Sequence, residues 1–152
     1  MKNLNRRELG LALPAFAMLN SMLAEAQDAD APKLLHSRIF HFDELPVKTS
    51  ANGMQSRAVL HGTLATGEFV EVHETMLPPG QMPHPPHRHT HSEFLLIREG
   101  KLEVNSEGQH GTVEPGGVVF TASGVLHSLK NIGDAPANYF VVAVSQQKAL
   151  PS

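Results

Sequence analysis

Three histidines and a glutamate, His87, His89, Glu93 and His127, are the side chains of this sequence best suited to chemistry. Neutral imidazole is a good ligand for Zn, Cu, Fe and Ni, and a carboxylate also suits Mn. In an extended strand, residues two apart point to the same face. That parity predicts that His87, His89 and Glu93 project together from one run, His87–Arg98. A fourth group must come from elsewhere, and His127 lies in the best later run. Four such groups on an octahedral ion leave two positions open for water, oxygen or a bidentate substrate. An ion held this way can act as a Lewis acid, orient two reactants or lower the pKa of bound water.

The elements that would position these groups read as short strands. Candidate runs are Leu34–Phe42, Met54–His61, Glu68–Leu77, His87–Arg98, Lys101–Asn105, Gly117–Thr121, Val125–Lys130 and Asn138–Ser145. Their β-branched and aromatic content, with turn signals between them, predicts an all-β sandwich or barrel. Twelve glycines and eleven prolines in 152 residues favour many short strands over a helical bundle. Pro78-Pro79-Gly80 ends one strand, because prolines remove ladder donors and fix φ. The extended stretch Pro83-His84-Pro85-Pro86 then aims the next. Glu99-Gly100 reads as a tight hairpin, and residues 101–114 as an exposed edge or hairpin. No helix of useful length is expected after residue 26.

Residues 1–26 read as an export signal. Lys2, Arg6 and Arg7 make a basic start, Leu9 to Leu23 is mildly apolar, and Ala24-Glu25-Ala26 is a small-x-small cleavage pattern. The run is shorter than the ~20 residues of a spanning helix. Cleavage near Ala26, with no lasting membrane insertion and a periplasmic or secreted product, is therefore the expectation. The pair Arg6-Arg7 resembles a twin-arginine signal, with an ordinary secretory signal as the alternative. Residues 27–33 would be a flexible lead-in, 34–146 the barrel and 147–152 a tail. There is no cysteine, which excludes disulfides and thiolate ligands. The formal charge of −3 and the absence of a basic cluster after residue 30 argue against nucleic acid as a partner.

At these residues the sequence resembles the cupin superfamily. Gly80 is followed by six residues, His87-Arg88-His89, Glu93 and Gly100, matching the family's first motif with a spacer one residue longer than usual. Gly116, Gly124, His127 and Asn131 match the second, with Ala122 where proline is usual. The resemblance implies a single double-stranded β-helix, or jelly-roll barrel. It implies one divalent metal ion (Fe, Mn, Ni, Cu or Zn) on His87, His89, Glu93 and His127, with Glu93 also able to accept a substrate proton. A homodimer is expected, through sheet packing or exchange of an N-terminal strand. The leading expectation is an enzyme acting on a small chelating organic substrate, by oxygen-dependent cleavage of an enol, catechol or flavonol-like compound. Isomerase, decarboxylase or lyase chemistry stands close behind, because the fold alone does not select a reaction. A non-catalytic module for a sugar, an organic acid or the metal is the alternative.

Other residues read more plainly. His91 shares the parity of His87 and His89, but is first read as a rim histidine. His84, among prolines, is expected near the mouth. Met76, Met82, Phe120, Tyr139 and Phe140 are read as barrel core that could line a pocket. Arg57 fits either an anionic substrate or a solvated face, Arg98 and Glu99 look like hairpin-end charges, and only one of His73 and Glu74 can point inward.

Overall fold

The computed structural model describes residues 31–146, so the expected export signal, part of the lead-in and the C-terminal tail lie outside the described residues. Ten strands account for nearly all the regular structure: β1 (Lys33–Leu34), β2 (Val47–Thr49), β3 (Gln55–Leu64), β4 (Glu68–Leu77), β5 (Ser92–Glu99), β6 (Leu102–Ser106), β7 (Gln109–Val113), β8 (Val118–Thr121), β9 (His127–Asn131) and β10 (Ala137–Gln146). They form two sheets. The larger, of seven strands, runs β1-β3-β4-β10-β5-β8 with β2 paired to β3; the smaller runs β7-β6-β9. Among the described residues no helix is long and apolar enough to cross a membrane.

The alternation of side chains sorts the core. On β10, Ala137, Tyr139, Val141 and Ala143 are buried while their neighbours are partly exposed, the period-2 pattern of a sheet covered on one face. With Leu77, Leu95, Ile97, Leu102 and Leu129, most of these form one apolar cluster between the sheets. Burying a leucine-sized side chain contributes about 1.5–3 kcal/mol, so this cluster holds the fold independently of any polar site.

Three expectations change in the structure. The run expected at Leu34–Phe42 pairs only at Lys33–Leu34, parallel to Thr63–Leu64, and Phe42–Glu44 is a single 3-10 turn. Glu99-Gly100 is not a hairpin, because β5 and β6 belong to different sheets. It carries the chain from one sheet to the other, and the φ of +88° at Gly100 suits that turn. The strand expected from His87 begins only at Ser92.

Residues 80–91 nevertheless follow the second motif segment closely. Gly80 N–H donates to Asn131 O (2.9 Å), Asn131 N–H to Gln81 O (3.0 Å), and His87 and His127 exchange both backbone bonds (3.1 and 3.0 Å). The chain advances from Gln81 to His87 while its partner advances only from Asn131 to His127, so the longer side bulges at Pro83–Pro86, where prolines offer no donors. Asn131 is fully buried and donates to Leu77 O (2.8 Å) and Ala135 O (2.9 Å) while accepting from Gly133 N–H (2.9 Å). It locks the turn after β9 to the end of β4.

Two glycines make a test. A Cβ at Gly100 would sit 2.6 Å from Ala137 Cα, whereas one at Gly80 (φ +74°) meets nothing within 4 Å. Gly80→Ala should cost about 1–2 kcal/mol, the left-handed backbone penalty alone. Gly100→Ala should cost clearly more, because a backbone atom cannot move aside. Urea unfolding of both variants checks the order, and equal losses would refute it.

Candidate metal centre

His87, His89 and His127 come together where the proline-rich approach crosses from the larger sheet to β9 of the smaller. Their ring centroids are 4.5 Å (His87–His127), 4.6 Å (His89–His127) and 5.5 Å (His87–His89) apart. One nitrogen from each lies within 4.8 Å of the others, close enough for one metal ion. Glu93 enters from the side: its Oε2 is 3.6 Å from His89 Nε2 and 3.9 Å from His127 Nε2. Glu93 is thus beside His89 and His127, and with His89 and His91 it forms a second group whose ligand atoms lie within 4.8 Å of one another. Strand parity is not the cause, because His87 and His89 precede the strand that carries Glu93. The backbone pairing of His87 with His127, and of Gly124 N–H with His89 O (2.8 Å), brings them in.

A shared feature fixes how these imidazoles face. His87 Nδ1 lies 3.1 Å from Pro85 O, His89 Nδ1 2.8 Å from His91 O, and His127 Nδ1 3.0 Å from Val125 O. A carbonyl oxygen only accepts, so each Nδ1 must carry the proton and each Nε2 keeps its lone pair. Hydrogen bonding of this kind is what orients metal-binding histidines. Among the described residues, buried His89 Nε2 has no hydrogen-bond partner, a cost of about 1–3 kcal/mol for a group left unsatisfied. An orphaned lone pair among others of its kind fits a metal ion.

Electrostatics agree. Burial, followed by the neighbouring His127, holds His87 below the ordinary histidine value of 6.5. Burial, followed by His91, does the same for His89. Burial pushes Glu93 up, but the His91 imidazole and the surrounding histidines outweigh it and leave its carboxyl below the usual range. Both tendencies favour the deprotonated forms that bind metal.

The group borders a cavity of about 320 Å³ between the sheets, with Leu95, Leu129, Tyr139 and Val141 as its apolar floor. Burial pushes the Tyr139 phenol strongly up, so it stays protonated.

The remaining candidates separate clearly. His91, read first as a rim residue, is half-buried in the cavity wall. Its ring stacks on His89 (3.7 Å between centroids, 10° between planes) and its Nε2 lies 3.8 Å from Glu93 Oε1. His84 stands at the mouth, edge-on to His87. Of the apolar candidates only Tyr139 lines the cavity; Phe120 is exposed on the outer face, and Met76, Met82 and Phe140 do not border it. Arg57 serves neither of its expected roles. It faces the buried carboxylate of Glu74 (Nε–Oε2 3.8 Å), as Arg98 does (Nη2–Oε1 3.7 Å), and the Phe42 ring lies against both guanidinium groups (4.6 and 4.9 Å). Burial outweighs the two arginines and pushes Glu74 up. Of His73 and Glu74, His73 takes the inward position and Glu74 the outer one. Glu71, which the sequence reading passed over, lies on the same face; its only sequence signal is its place two residues before His73.

The geometry predicts a pH dependence. The unfolded chain takes up protons near 6.5 while folded His87 and His89 resist them to lower pH, so the metal-free protein should lose stability as pH falls through that window. Zinc affinity, followed by calorimetry between about pH 5 and 8, should be flat at the upper end. It should fall only below the range where an unstructured histidine peptide loses zinc, and an equally early loss would contradict the burial argument.

Comparison with known proteins places this geometry. A model of the cupin domain matches residues 73–143. No curated protein sequence matches the chain. Among solved structures, an RmlC-like cupin from Shewanella frigidimarina superposes with a TM-score of 0.61 at 15% identity, covering 74% of this chain and 95% of that one. A sugar phosphate isomerase from the cupin superfamily of Silicibacter pomeroyi gives 0.60 at 20% identity, with coverages of 72% and 76%. A predicted oxalate decarboxylase from Thermotoga maritima gives 0.58 at 22%, with coverages of 70% and 98%. At such identities the likeness is one of fold.

Proposed function

Because this chain belongs to the cupin superfamily through its domain at residues 73–143, we propose that it is a metal-dependent enzyme acting on a small chelating organic substrate. His87, His89, His127 and Glu93 would hold one divalent ion. The observation that carries this reading is the set of three Nδ1–carbonyl bonds, which leave three Nε2 lone pairs converging beside a carboxylate at the wall of a cavity. When bound, the metal would supply Lewis-acid polarisation of a chelated oxygen, and a redox-active ion could also support oxygen chemistry. The apolar floor excludes water from the far end of the substrate. Glu93, next to His91, would be one group able to accept a substrate proton.

Two uses of such a centre are open to this chain. Oxygen-dependent cleavage of an enol, catechol or flavonol-like compound is the first. Redox-neutral isomerase, decarboxylase or lyase chemistry is the second, and a specific observation favours it: an acid–base pair, His73 and Glu71, lines the same cavity. The names of two structural neighbours, a sugar phosphate isomerase and a predicted oxalate decarboxylase, are consistent with it. We further propose that the protein is exported through its Arg6-Arg7 segment to the periplasm or beyond.

The test is elemental analysis of full-length protein purified without added metal, beside His127→Ala and Glu93→Gln variants. Turnover of a panel of chelating acids and enols is then followed with and without oxygen. About one metal per chain is expected, with metal affinity at least about tenfold lower in His127→Ala. Product formation without oxygen is the expected outcome. Tight ligand binding with no turnover would replace the enzyme by a binding module.

The homodimer expected from the sequence has a suitable face. Phe94, Leu96, Val118 and Phe120 stand exposed on adjacent strands β5 and β8, with the two phenyl rings 5.0 Å apart. Exposed apolar patches of this kind mark contact surfaces. Phe120→Glu should weaken self-association in sedimentation velocity without changing metal content, and an unchanged association state would remove this face from the dimer.

A further inference from the structure

On β4, separated from β5 by β10 in the same sheet, His73 Nδ1 lies 3.2 Å from Glu71 Oε1. Both side chains line the same cavity as His89, Glu93 and His127. The strand register sets the layout. Glu71 pairs with Ala143 on β10, and Ala143 pairs with Glu93 on β5; His73, Val141 and Leu95 form the next row. On this face of the sheet Ala143 and Val141 of β10 lie between the two strands. Adjacent strands are about 4.8 Å apart, so the β4 and β5 backbones run side by side roughly 10 Å apart with β10 between them. A molecule of a few carbons lying over Ala143 and Val141 would reach both.

The chemistry of the pair is directional. An ionised carboxylate only accepts hydrogen bonds, so the contact requires the His73 proton on Nδ1 and leaves Nε2 with its lone pair. The His73 hydrogen bond is the largest influence on Glu71 and holds its carboxyl below the usual range. A proton taken up at Nε2 leaves the ring in place against the Glu71 carboxylate. This is the arrangement of a general base with an orienting partner. A histidine–glutamate pair on an open strand face would have no use for such an arrangement, but His73 is only 27% exposed and turns into the cavity.

We propose that His73 is a catalytic base and Glu71 its positioning residue, and that the substrate is a small enolisable 2-oxo or hydroxy-carbonyl acid spanning from the histidine group to β4. This deepens, and rests on, the reading of His87, His89, Glu93 and His127 as a metal centre. In the step itself His73 Nε2 takes the proton from the carbon next to the carbonyl. The C–H bond breaks, an N–H bond forms, and the electron pair passes onto the carbonyl oxygen. Return of a proton from the imidazolium to that carbon restores the carbonyl, with its hydrogen exchanged or its configuration inverted. No electrons are gained or lost, and no co-reactant is needed.

The experiment uses the full chain loaded with zinc and pyruvate as the probe, in D2O. Loss of the pyruvate methyl proton signal reports exchange, with zinc in buffer as the background. Wild type should exchange well above background. His73→Gln should fall by about 100-fold or more, the usual share of a general base, and Glu71→Gln by about tenfold, both with unchanged zinc content. Long-range 15N spectra of the imidazoles supply a second readout: His73 should carry its proton on Nδ1 in wild type and lose that preference in Glu71→Gln. Exchange by His73→Gln at the wild-type rate, or a proton on Nε2 of wild-type His73, would overturn the pair while leaving the metal reading intact. Zinc-loaded wild type that exchanges pyruvate no faster than zinc in buffer would overturn the substrate class. Failure of wild type to bind zinc, with the His73 tautomer as expected, would instead overturn the metal reading beneath it.

Discussion

The paired backbone bonds between His87 and His127 are the constraint on which the site depends. They join a segment leaving the larger sheet to the first residue of β9 in the smaller one. Without that bridge, His87 and His89 would belong to an irregular loop with no fixed direction. Side chains reinforce it. Arg88 Nη1 donates to Gly124 O (2.7 Å) and Ser123 Oγ to Thr90 O (2.7 Å). Residues 87–92 are therefore held along 123–127 by bonds that no regular strand supplies. A site made this way can be precise while its backbone stays irregular enough for each Nδ1 to reach a carbonyl two residues away.

The two faces of the larger sheet use charge for different ends. Inside, His87 and His89, held below the ordinary histidine range by burial, and Glu93, held below the usual carboxyl range, border a cavity with an apolar floor. Outside, Glu74 is buried beneath Phe42, Arg57 and Arg98, with ion-pair distances that are long for direct hydrogen bonds. A buried ion pair of that kind adds little stability by itself, since desolvation offsets the attraction. The Phe42 ring, packed on both guanidinium groups, ties the 3-10 turn at Phe42–Glu44 to the outer face.

The glycines and Asn131 of the two motifs have work apart from any ligand. Gly100 passes the chain between sheets against Ala137, and Asn131 satisfies two backbone carbonyls deep in the fold. The motif spacings thus encode chain path as much as chemistry. The extra residue before His87 falls in the proline bulge, and for that reason it does not disturb the convergence of the imidazoles.

The sequence by itself determined the all-β class and most strand positions from β3 onward, through alternation and turn residues. It singled out His87, His89, Glu93 and His127 by the spacing of two motifs that resemble the cupin pattern, and not by strand parity. Parity within one strand also required that only one of His73 and Glu74 point inward; the tertiary structure decided that it is His73. Only the tertiary structure decided which sheet each strand joins, that residues 87–91 are bridged rather than stranded, and that His91 packs inside against His89. It alone brought Glu71 and His73 to the cavity that Glu93 lines. Those relations depend on pairing between segments far apart in the chain, and side-chain alternation along one segment carries no information about the register of another.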